Sequence, residues 1–183
     1  MPTVPVHLLK PHPAQPVPAG LGVEITVTPL LTENKSTLRL DYRLIGARTQ
    51  VCLPPPEPAQ ACDGLWQHTC CEAFIATVDG QKYREFNFSP SHCWAVYDFL
   101  AYRQRDTSAQ HNAGPRIETR HDGDDFCLRA TLPASLLPSG AAHLGLSVVI
   151  ETLAGDKLYW ALHHPAPQPD FHHADNFVLP LSL

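Results

Sequence analysis

Apolar side chains recur at every second residue in one short stretch of this chain after another, and that period admits few folds. In TLRLDYRL, residues 37–44, Leu38, Leu40, Tyr42 and Leu44 fall on one side of an extended strand, while Thr37, Arg39, Asp41 and Arg43 fall on the other. Val23, Ile25 and Val27 alternate with Glu24, Thr26 and Thr28 in the same way. Further on, Phe126, Leu128, Ala130 and Leu132 alternate with Cys127, Arg129 and Thr131, and Leu144, Leu146, Val148 and Ile150 alternate with smaller or more polar residues. Phe177, Leu179, Leu181 and Leu183 read as a last strand. A half-buried antiparallel strand has this pattern because one face packs on a core and the other meets water. Residues 72–77, 83–88, 93–99, 117–121 and 157–162 complete a set of about ten strands.

Turn signals separate the strands at Asp79-Gly80, Ser89-Pro90, His121-Asp122-Gly123 and Ala154-Gly155-Asp156, the first and last of them reading as tight hairpins. No segment of helical length carries a 3.6-residue period, and only PASLL, residues 133–137, suits a single helical turn. The sequence therefore predicts an all-β chain, an antiparallel β-sandwich of the jelly-roll or immunoglobulin-like kind. Its 183 residues suit one domain. The 19 prolines lie mostly in residues 2–18, 54–58 and 165–169, which read as extended loops because proline removes a backbone donor. Residues 1–19 are read as a proline-rich N-terminal extension and residues 20–183 as the sandwich.

Charge limits the partners. Charged residues make up 17% of the chain, the net charge is −5 and no Lys/Arg run occurs. Nucleic acid, which needs clustered positive charge, is not an expected partner. No stretch approaches the roughly 20 apolar residues that cross a bilayer, and MPTVPVHLLKPHP lacks a signal-peptide core. The expectation is a cytoplasmic protein whose six cysteines are thiols. Cys52 and Cys62, flanking a proline-rich loop, are the pair placed to join if oxidised, whereas Cys70 and Cys71 point to opposite faces of a strand. The sequence sets no oligomeric state.

Three groups of residues offer chemistry. Trp66 follows the Asp63-Gly64 turn, and Glu72 shares a strand face with Phe74 and Ala76, where a carboxylate needs a partner. Read functionally, the indole stacks on a sugar ring and the carboxylate accepts its hydroxyls; read structurally, Trp66 fills the core and Glu72 pairs with an arginine. Tyr83, Glu85 and Asn87 form a polar row on one face of a strand whose other face carries Phe86 and Phe88, with Arg103 as a counter-ion. That row lines either a ligand groove or a solvated face. Last comes LYWALHHPAPQPDFHHADNF, with Trp160, His163, His164, Asp170, Phe171, His172 and His173. Its histidines and Asp170 are weak candidates for a divalent metal, since adjacent histidines in a rigid loop seldom meet at one centre. Trp160 shares a face with Leu158 and Leu162 and reads as core. The chain has no G-x-S-x-G elbow, P-loop or G-x-G-x-x-G, so binding is favoured over catalysis.

Together, LWQHTCCEAFIA, YREFNFSPSHCWAVYDFLAYR and LYWALHHPAPQPDFHHADNFVLPL resemble the bacterial DOMON-like proteins, relatives of the family 9 carbohydrate-binding modules. The resemblance spans about residues 20–183. It implies a β-sandwich holding a sugar between aromatic rings, with Trp66 and Glu72 matching the first aromatic and its acidic partner, and Trp160 or Phe171 supplying the second aromatic. Arg103 and Asn87 join by chemistry alone. The functional expectation is a non-catalytic module for a small molecule, a carbohydrate or sugar-like compound, with no required cofactor. The alternatives are a haem- or metal-binding domain on the C-terminal histidines, for which Met1 leaves no Met–His haem ligation, and a protein-interaction domain.

Overall fold

A computed structural model describes residues 4–32, 35–78, 81–138 and 142–182. Among these residues the chain forms thirteen strands and no α-helix. The strands are β1 (Val6–Leu8), β2 (Lys10–Pro11), β3 (Gly22–Thr32), β4 (Lys35–Ile45), β5 (Cys70–Thr77), β6 (Tyr83–Phe88), β7 (Trp94–Ala101), β8 (Gln104–Arg105), β9 (Arg116–Asp122), β10 (Asp125–Leu132), β11 (Ala142–Glu151), β12 (Lys157–Ala161) and β13 (Leu179–Leu181). They build two antiparallel sheets packed as a sandwich, the first in the order β1-β3-β4-β10-β9 and the second in the order β2-β12-β11-β5-β6-β7-β8. The alternating residues meet as the sequence anticipates. Leu38, Leu40, Tyr42 and Leu44 of β4 and Leu128, Ala130 and Leu132 of β10 face Phe86, Phe88, Leu146, Val148 and Ile150 across one buried core. Fully buried Tyr42 donates its hydroxyl to the carbonyl of Glu72 at 2.8 Å, a hydrogen bond that joins the sheets directly beneath a candidate site residue.

The prolines behave less simply than their composition suggests. The segment before residue 20 contributes an edge strand to each sheet: Val6–Leu8 pairs with β3 and Lys10–Pro11 with β12, with Leu9 buried in the core between them. Pro11 lies on an edge strand, and Pro29 lies within β3 beyond the reach of β1, places where a missing N–H costs no ladder bond. Residues 133–137 supply a single 3₁₀ turn over Ala134–Leu136, with Pro133 just before it. The Asp79-Gly80 turn and Leu183 lie outside the described residues. All six cysteines are free thiols, including Cys52 and Cys62, and Cys70 and Cys71 point to opposite faces of β5.

One topological detail positions everything that follows. Strand β11 is flanked on one side by β5 and on the other by two strands end to end, with β12 opposite residues 147–151 and β13 opposite residues 142–144. The chain leaves the sheet after β12, crosses its outer face through residues 162–178 and returns at β13. Phe177, which alternation assigned to the last strand, instead ends a 3₁₀ turn (Ala174–Asn176) in this crossing and lays its ring on the outer face. A β-carbon at Gly145 would lie 2.6 Å from the Phe177 ring, so only glycine leaves room for that ring beside β11.

Candidate functional site

The residues that the core leaves out pave the outer face of the second sheet. Register aligns Ser147, Glu72, Asn87 and Ala95 in one row, and Gly145, Phe74, Glu85 and Tyr97 in the next, while Ala76, Tyr83 and Phe99 form a third. Aromatic packing covers one end of this face. Phe74 stacks on Phe177 with ring centres 5.9 Å apart, Tyr83 stacks on Phe99 at 4.7 Å, and His172 meets Phe74 edge-on at 5.3 Å. The other end remains open as a groove of about 690 Å³. Glu72 and Glu85 line it from the sheet, and Trp66, Tyr97, Phe99, Val149, Tyr159 and Phe171 supply its apolar and aromatic lining. Arg103, Arg105, Asp63, Gln67 and His172 add further polar groups.

Each lining group is held by its neighbours. Trp66 rides on a 3₁₀ turn, Leu65–Gln67, whose preceding Gly64 has φ +72°, a left-handed conformation that glycine adopts freely. The indole is 52% exposed. Glu85 accepts a hydrogen bond from Asn87 Nδ2 at 2.7 Å, and buried Asn87 in turn faces the Cys70 thiol at 3.5 Å. Glu72 accepts from the Ser147 hydroxyl at 3.2 Å. Arg103 stands in the β7–β8 turn at φ +54°, a backbone position that disfavours side chains. Asp170 anchors it there: the carboxylate accepts from Arg103 Nη2 at 2.8 Å, from the Tyr102 hydroxyl at 2.6 Å and from the His172 backbone N–H at 3.2 Å. This clamp ties the C-terminal crossing to the far edge of the sheet. Arg105 lies flat over Tyr97, 4.0 Å from its ring centre, and Tyr97 donates a short hydrogen bond to Asp63.

Burial controls the charges. Glu72 is 3% exposed and Glu85 is 5% exposed. Desolvation pushes both carboxyls upward, and the proximity of Glu85 pushes Glu72 further. Burial and the Arg103 charge push His172 down to about 4. The Tyr83 hydroxyl accepts from the Arg103 backbone N–H at 3.0 Å and hydrogen-bonds with Nδ1 of His172 at 2.9 Å. The other ring nitrogen, Nε2, faces Glu85 at 3.6 Å. Although this separation is short enough for an ion pair, burial biases both groups toward their neutral forms. Burial is the main reason that Tyr83 itself is pushed up to about 12.

These shifts set a pH dependence with a definite sign. The raised carboxyls stabilise the fold fully below their ordinary value near 4.5, and that contribution is lost as pH rises through their folded values. His172 acts oppositely, its stabilising contribution being lost as pH falls from 6.5 toward about 4. The expected result is an unfolding free energy whose carboxyl contribution declines as pH rises above 4.5 through their folded values, with a shallower decline in Glu72→Gln. Urea titrations of both proteins across that range measure it.

The sequence candidates occupy different depths. Trp66, Glu72, Glu85, Arg103 and Phe171 come together at the groove. Asn87 supports Glu85 from below, and Tyr83 lies under the C-terminal crossing. Trp160 packs in the core between the sheets, and Tyr159, one residue earlier, takes the groove-facing place. The same alternation that buries Leu158 requires this, so the signal for Tyr159 was present in the sequence. Tyr97 and Phe99 are legible in the same way once β7 is paired with β6. Asp63 and Arg105 lie at positions without periodicity.

The histidines proposed as weak metal candidates are separated. His164 contacts buried His12 edge-on at 4.9 Å, His172 lies among Phe74, Tyr83 and Phe99, and His173 caps the turn at Asp175. Asp170 is committed to its clamp. Among the described residues no three His, Cys, Asp or Glu side chains converge as a metal site.

No family model matches the chain. No curated protein matches it either. Among solved structures, it resembles a protein of Bacteroides uniformis ATCC 8492 assigned to carbohydrate binding, with a TM-score of 0.66 at 13% identity over 95% of this chain and 84% of that one. Family 9 carbohydrate-binding modules of Caldicellulosiruptor kristjanssonii, in complex with glucose and with cellotriose, give TM-scores of 0.47 and 0.48 at 10% and 9% identity. The glucose complex aligns over 79% of this chain and 68% of that one, the cellotriose complex over 86% and 71%. What the first similarity establishes is the fold, a two-sheet β-sandwich.

Proposed function

We propose that the groove binds a carbohydrate and that the protein is a non-catalytic small-ligand-binding module. The observation that carries this reading is the placement of two buried carboxyl groups, Glu72 and Glu85, on a sheet face flanked by Trp66, Tyr97, Tyr159 and Phe171. A sugar ring presents C–H faces that pack on aromatic rings and hydroxyl edges that hydrogen-bond to carboxyl oxygens. A pocket with apolar walls and a few convergent polar groups meets both demands. The groove volume, about 690 Å³, accommodates a ligand of that class. Similarity of fold to a protein assigned to carbohydrate binding supports the reading. Calorimetry of the protein against a panel of mono- and oligosaccharides tests it. Saturable heat with at least one sugar is expected, and no heat with any member overturns the proposal.

A further inference from the structure

We propose that the sugar bound in this groove carries a positively charged amino group. The inference rests on the carbohydrate reading and narrows it to a class of ligand. It begins from two carboxyl groups that no Lys or Arg side chain pairs with directly, although the Arg103 and Arg105 charges reach Glu85 from a distance. Among the described residues the Glu72 carboxyl has one hydrogen-bond partner, the neutral Ser147 hydroxyl. Glu85 has the neutral amide of Asn87 and the neutral imidazole of His172. Both carboxyls open into the groove.

The two guanidinium groups of the groove are engaged elsewhere. Arg103 pairs with Asp170 at 2.8 Å, and Arg105 lies over the Tyr97 ring with Asp63 at 3.7 Å. Set against these two cations are Asp63, Asp170, Glu72 and Glu85, so the site is acidic by two charges when every carboxyl is ionised. A buried carboxylate without a cation costs free energy, and two neighbouring ones cost more. An ammonium group removes that cost and brings three donors. The aromatic lining favours the same guest, because ring faces attract cations. A neutral sugar supplies hydroxyl donors but no charge to pair with an ionised carboxylate.

The proposal has a thermodynamic signature besides affinity. Burial favours the protonated forms of the two carboxyls, and an arriving ammonium favours their ionised forms. Binding therefore releases protons, which calorimetry detects by repeating the titration in buffers of different ionisation enthalpy.

Glucosamine, glucose, N-acetylglucosamine and cyclohexylamine make the test, buffered below the pKa of the amines. Glucosamine is expected to bind at least about 10-fold more tightly than glucose or N-acetylglucosamine, with proton release. In Glu72→Gln, and independently in Glu85→Gln, the preference for glucosamine falls to about twofold or less. Glucose or N-acetylglucosamine binding as tightly as glucosamine overturns this inference while leaving the carbohydrate reading in place. Cyclohexylamine matching glucosamine overturns the sugar ring as part of the ligand. Silence from all the sugars in the panel overturns both proposals.

Discussion

Phe74→Ala lowers the unfolding free energy by about 3–5 kcal/mol, the range for deleting a fully buried phenylalanine. Phe74 is 1% exposed although its strand face points away from the main core. Its ring is the hub of a second cluster, touching Phe177, Tyr83 and His172. Removing it leaves a cavity beneath the C-terminal crossing that the rigid sheet cannot close. The damage also reaches the groove, because His172 packs on Phe74 and its backbone N–H helps to hold Asp170, which anchors Arg103. Urea denaturation gives the stability loss. A loss under about 1 kcal/mol contradicts a packed outer cluster, since exposed positions behave that way.

The second large effect is on binding. Glu72→Ala weakens sugar binding about 10- to 100-fold, the equivalent of losing hydrogen bonds in a desolvated site. Trp66→Ala weakens it about 10-fold through lost stacking. The two variants differ in what else they disturb. Half-exposed Trp66 contributes little to the core, so its removal changes stability by about 0.5 kcal/mol or less. Glu72 lies over the inter-sheet hydrogen bond from Tyr42, but that bond uses the Glu72 backbone carbonyl and survives the substitution. Calorimetry of both variants with the best sugar of the panel measures the losses. Full affinity in either variant removes that side chain from the site.

Much of this arrangement is legible in the alternation of residues. Leu38 to Leu44 and Leu144 to Ile150 face inward because their own period fixes it, and Glu72, Glu85 and Asn87 face outward for the same reason. A period assigns a side but not a depth. Tyr83, Glu85 and Asn87 share one face, yet the crossing covers Tyr83, Glu85 lines the groove and Asn87 is sealed beneath its neighbour. What separates them is the path of residues 162–178, a proline- and histidine-rich segment without periodicity whose position depends on tertiary contacts at Gly145, Phe74 and Asp170. The edge strands β1 and β2 were equally hidden, because two or three residues cannot display a period and their pairing is decided by sheets folded from elsewhere in the chain. Trp160 and Tyr159 teach the opposite lesson: chemistry favoured the indole as a ligand contact, and parity placed the phenol there.

A crystal structure of the protein soaked with the tightest-binding sugar tests the central claim most directly. The sugar ring is expected in the groove beside Trp66 and Phe171, with polar atoms within hydrogen-bond distance of Glu72 or Glu85. A ring seated instead on the outer face of the β1-β3-β4-β10-β9 sheet, or a groove holding only water at saturating sugar, contradicts it.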